Sequence, residues 1–188
     1  MPVSMEPAVS ILPVAFVLAL TPAVADATAS YPANWREWTL VKETVIPGRD
    51  TPIPDGLPPL FVDTIKTYNW INDGKGSTLR IYVNPTALEA YATHGPYTDG
   101  PTVVGVYNDV GIVFVTEFLM GEPLYGTYDF AGKDVTGQHP SFAAEVCSRC
   151  HQGYAEVCKG GTCAVPADPP PSAVSLPPAT PAPSAPAR

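Results

Sequence analysis

The segment TVVGVYNDVGIVFVTEF, residues 102–118, constrains the fold more than any other part of the chain. Two runs rich in β-branched and aromatic residues flank Asn108-Asp109-Val110-Gly111, residue types that favour a tight reversal. The unit predicts a β-hairpin, and more strand patterns lie on both sides of it. Residues 39–46, TLVKETVI, alternate well enough for one strand. The runs LFVDTIKTYNWI and STLRIYVN, on either side of Asn72-Asp73-Gly74-Lys75-Gly76, predict a second hairpin, and LYGTYDF predicts one more strand. Helical signals are few and short. Asn84-Pro85 is an N-cap followed by proline, opening two to three turns over TALEAYAT until Gly95-Pro96. Ser141 is positioned to cap a short helix in SFAAEVCSRCH. No long amphipathic pattern supports a helical bundle. The expected class is α+β, mainly antiparallel sheet with a few short helices.

The ends of the 188-residue chain read differently from its middle. Residues 11–20, ILPVAFVLAL, are too short an apolar run to span a bilayer and precede the small-x-small pattern Ala23-Val24-Ala25. Residues 1–25 are therefore expected to be a secretory signal peptide. The leader MPVSMEP carries Glu6 and no lysine or arginine, so a buried or anchoring segment is the competing reading. After Val165 the chain is almost wholly Pro, Ala and Ser, with too little apolar surface to offset ordering entropy. Residues 166–188 are expected to form a disordered tail, leaving one folded domain over 30–165. The formal charge of −8 comes with no basic run, which disfavours nucleic acid or an anionic membrane surface as partner.

Chemistry concentrates in Glu145-Val146-Cys147-Ser148-Arg149-Cys150-His151. Two thiols three positions apart, followed at once by an imidazole, match the attachment motif of a c-type haem. In that chemistry Cys147 and Cys150 form thioethers to the porphyrin and His151 binds the iron. A zinc site would need Cys158 and Cys163 as a second pair, and the gap from 150 to 158 is short for a zinc ribbon. A redox dithiol would be expected at the start of a βαβ helix, and no such unit is predicted. If haem takes the first pair, Cys158 and Cys163 remain for a disulfide in an oxidising compartment. A sixth iron ligand would come from upstream: Met120, His94 or His139. An open sixth position, walled by side chains such as Tyr107, Phe114 and Phe118, would admit small diatomic gases.

RIYVNPTALEAY, the turn Tyr97-Thr98-Asp99-Gly100, the strand GIVFVTEF and the C-terminal CxxCH together resemble the cytochrome P-460 family, which includes cytochrome c'-β. The resemblance covers roughly residues 34–155. It implies a largely antiparallel fold, a homodimer, heme c on a five-coordinate iron with His151 proximal, and nitrogen-oxide chemistry in the periplasm or outside a bacterial cell. Hydroxylamine-oxidising members carry a lysine cross-linked to the porphyrin, and Thr116 stands where that lysine would be. The resemblance therefore implies binding of nitric oxide or related small ligands. Arg80 matches an arginine of the enzymes, and with Glu117 it forms a candidate distal pair for hydroxylamine oxidation or peroxidase-like chemistry. The residues alone also allow an exposed ion pair there. A third expectation is an electron-transfer cytochrome with Met120 as axial ligand and a redox partner protein.

Overall fold

The computed structural model describes residues 28–163. The expected signal peptide and proline-rich tail lie outside these residues. Five strands, β1 (Thr39–Pro47), β2 (Gly76–Val83), β3 (Gly100–Tyr107), β4 (Ile112–Leu119) and β5 (Glu122–Asp129), form an antiparallel meander in the order β1-β2-β3-β4-β5. Three short helices accompany it: α1 (Pro59–Tyr68), α2 (Leu88–Thr93) and α3 (Ala144–Gly153). The fold is α+β, mainly antiparallel sheet.

The hairpin of β3 and β4 pairs Val104 with Val115 and Val106 with Val113. Alternation along each strand then splits the sheet into two faces. One face carries Val104, Val106, Val113, Val115 and Tyr128, and the segment Ala29–Trp38 packs across it. Burying each of these valines contributes about 1.5–3 kcal/mol. Gly126, opposite Val115, lies on this face, where a Cβ would meet the Ala29 carbonyl oxygen at 2.9 Å. The Ala29 amide, in turn, donates to the Tyr125 carbonyl at 3.2 Å and covers part of the β5 edge.

The opposite face carries Leu79, Tyr107, Ile112 and Phe114 at one end, under Tyr68, Trp70, Ile71 and Phe142. Towards the other end it carries Ile81, Val83 and Val103, under Ala87, Tyr91 and Tyr97. All three helices belong to this side. Thr127 Oγ1, fully buried, donates to the Phe142 carbonyl at 2.8 Å and anchors the approach to α3.

Two local expectations are corrected. LFVDTIKTYNWI is no strand of a hairpin: Pro59–Tyr68 is helical, and β2 pairs with β1 and β3 instead. Its β-branched residues favour strand locally, but Pro59 opens a helix at N1, and Leu60 and Ile65 go into the core. Ser141 does not cap α3. It lies in a 3-10 turn, Pro140–Phe142, and the residue before α3 is Ala143, whose side chain makes no cap. Asn84 does cap: its Oδ1 accepts from the Thr86 amide at 3.1 Å, at the start of a 3-10 turn leading into α2.

Candidate functional site

Helix α3 carries Cys147, Cys150 and His151. Residues three and four apart in a helix share a side, so both thiols and the imidazole form one row. That row faces the helix-bearing side of the sheet. The His151 ring meets Tyr125 of β5 edge-on, with centroids 4.9 Å apart. Both thiols act on Tyr68 of α1 and on Tyr125, whose phenols are pushed up chiefly by burial. Cys147 and Cys150 are free and half-buried. A cleft lined by Asp63, Lys66, Arg149 and Tyr154 opens beside Cys150, between α1 and α3.

The protonation of the site follows from its contacts. His151 Nδ1 lies 2.7 Å from the Gly161 carbonyl oxygen. A carbonyl only accepts, so Nδ1 carries the proton and donates it, leaving Nε2 with its lone pair. Burial lowers the His151 pKa, and the bond to Gly161 opposes that shift. A neutral imidazole with a bare Nε2 is the form that binds a metal. Burial also pushes the Cys147 thiol up to about 11, and raises Cys150, with Asp63 adding to the effect. Both sulfurs are held as thiols rather than reactive thiolates.

The same face of the sheet carries an aromatic cluster. Phe114 meets Tyr68, Tyr107 and Phe142 in edge-to-face contacts of 5.3–5.8 Å between centroids. Phe118 stacks on Tyr97 at 4.3 Å. Thr116 lies in register between Val103 and Tyr125, on the face that His151 touches.

The other candidates are elsewhere. Arg80 pairs across the sheet with Val106, and Glu117 with Leu124, which puts both on the face covered by the N-terminal segment. Arg80 Nε contacts Glu43 Oε2 of β1 at 2.6 Å, an exposed ion pair. Glu117 accepts from the Ser30 amide. Neither reaches His151, so the distal pair is not assembled. Met120 is 89 % exposed at the turn between β4 and β5. The His139 ring stacks on Trp70 at 3.6 Å, and its Nδ1 lies 2.7 Å from Ser141 Oγ. His94 caps the C-terminus of α2 in the left-handed region.

A disulfide joins Cys158 and Cys163. That bond removes them from a four-cysteine zinc set, since only free thiolates ligate. The CxxC pair lies inside a helix reached from an antiparallel strand, unlike a βαβ dithiol. The donors present fit a covalently attached haem: two free thiols one turn apart, an adjacent imidazole with one nitrogen bare, and an apolar aromatic face beneath.

Three site residues escaped the sequence. Tyr68 was hidden by the strand reading of its segment. Tyr125 stands on a correctly predicted strand, but only the register shows which face it takes. Gly161 acts through its carbonyl, which no residue-type motif reveals.

No protein-family model matches this chain, and no curated protein matches it significantly.

Proposed function

We propose that the chain is an exported mono-haem c-type cytochrome that binds nitric oxide or a related small nitrogen-oxide ligand at an open iron position. One observation carries this reading: Cys147, Cys150 and His151 form a single row over an aromatic sheet face, with His151 Nδ1 already engaged by Gly161. The haem would supply an iron able to take a diatomic ligand. Cys147 and Cys150 would hold it covalently, and His151 Nε2 would be the protein ligand to iron. Tyr68, Tyr107, Phe114 and Phe118 would exclude water, leaving a poorly solvated pocket suited to an uncharged gas. The disulfide and the antiparallel fold agree with export and with the cytochrome P-460 resemblance.

The hydroxylamine-oxidising alternative lacks its two polar residues at the site, because Arg80 and Glu117 lie on the far face. The electron-transfer alternative would need Met120 to leave an exposed turn. As a homodimer, the protein would cover the exposed strip of Leu40, Val41 and Val45 along β1 with a second copy.

The test is expression of the full chain with a c-type maturation system, followed by ferric and ferrous absorption spectra with and without nitric oxide. Covalently attached haem whose ferrous spectrum shifts on nitric oxide supports the reading. A low-spin six-coordinate ferrous form indifferent to nitric oxide overturns it.

A further inference from the structure

The loop closed by Cys158 and Cys163 contains the carbonyl that His151 uses, and the loop is held in place on several sides. Tyr125 Oη donates to the same Gly161 oxygen at 2.9 Å, so both lone pairs of that oxygen are engaged. Tyr91 Oη donates to the Cys163 carbonyl at 3.5 Å. Gly161 has φ +82°, and a Cβ there would lie 2.5 Å from Pro123 Cγ. Glycine is thus required twice, for its left-handed backbone and for its close seat on β5. Cys158 is 2 % exposed. The six-residue ring lies outside the three main clusters of the core and seats on β5 through Pro123 and Tyr125.

The geometry points to a positioning role for this disulfide ring: it presents the Gly161 carbonyl to His151 Nδ1, so that Nε2 is the nitrogen left for a metal and the imidazole plane is fixed against Tyr125. Gly161 and Tyr125 are positioning residues that act through His151. The inference rests on the haem reading for its use, but its geometry belongs to the chain. A hydrogen bond from Nδ1 to a fixed carbonyl makes the ring a stronger electron donor at Nε2. The ring would therefore strengthen the bond from His151 to iron and favour the ferric state.

The test compares the wild-type holoprotein with the double variant Cys158→Ser/Cys163→Ser. Two readouts are taken: the iron–histidine stretching frequency of the ferrous protein by resonance Raman, and the ferric/ferrous midpoint potential. Opening the ring is expected to lower the frequency and shift the potential upward, with haem content unchanged. Should the double variant fold poorly, Gly161→Ala keeps the disulfide while forcing the carbonyl off its seat, and the same two shifts are expected. Unchanged frequency and potential in the folded variants overturn the inference while leaving the haem reading intact. A further measurement does not need haem: ¹⁵N spectra of the full chain made without maturation report which nitrogen of His151 is protonated. Protonation at Nδ1, lost when the ring is opened, supports the device even if no haem attaches. Protonation of the wild-type ring at Nε2 overturns it.

Discussion

Arg80 and His151 stand on opposite faces of one sheet: Arg80 is in register with Val106 beneath the N-terminal segment, whereas His151 packs on Tyr125 beneath α3. The sheet itself separates the guanidinium from the imidazole. A charged residue on the far face, exposed and paired with Glu43, has no route to a ligand bound near His151. Arg80→Ala should therefore leave nitric oxide affinity within about twofold of wild type, since exposed charges are screened by water and salt. Titration of the ferrous protein with nitric oxide checks this, and a large loss would mean that Arg80 does serve the site.

Met120 gives a similar expectation by another route. Its side chain is almost fully exposed at a two-residue turn, and its amide is held by Asp99 Oδ1 at 2.7 Å. Met120→Ala should leave the ferric and ferrous spectra superimposable on wild type. Loss of a low-spin band on that substitution would make methionine an iron ligand.

Phe142 is 4 % exposed and packs against Trp70 and Phe114, directly before α3. Truncating such a ring removes its burial energy and leaves a cavity. Phe142→Ala should destabilise the domain by about 3–5 kcal/mol, read from urea unfolding followed by circular dichroism. The site should loosen with it, because the same residue's carbonyl anchors α3 through Thr127.

Burial holds the Cys147 thiol at about 11, whereas an ordinary thiol titrates near 8.5. Ionisation is needed for alkylation, and the ionised fraction rises with pH, passing one half at the thiol's own pKa. In the haem-free chain at about pH 8, Cys147 should carry on the order of 100-fold less thiolate than a free cysteine. Timed iodoacetamide labelling with peptide mass spectrometry should show Cys147 modified far more slowly than in the unfolded chain, with the gap closing as pH rises. Equal rates in folded and unfolded protein would mean that the thiol is not buried in the folded chain.

Much of this was legible in the sequence, and the exceptions share physical causes. The β3–β4 hairpin was readable because its turn residues and its alternation agree. The row Cys147, Cys150 and His151 was readable because its chemistry needs neighbours along one helix, where sequence spacing is spatial spacing. Helix α1 was not, because Val62, Thr64, Ile65 and Thr67 favour strand locally while the core takes one helical face. Parity along β2 already separates Arg80 and Tyr82 from Leu79, Ile81 and Val83, but which group faces α3 is decided by packing across the chain. The Gly161 carbonyl is a backbone atom placed by a disulfide and a close approach to Pro123, neither of which a motif encodes.

Covalent attachment of haem at Cys147 and Cys150 is the central proposal. Its most direct measurement is the intact mass and visible spectrum of the protein matured with a c-type system, after acid–acetone extraction. The mass of the chain plus one haem, with colour retained and then lost in the Cys147→Ser/Cys150→Ser variant, is the result expected. A colourless protein, or one that gives up its pigment to the solvent, would contradict it.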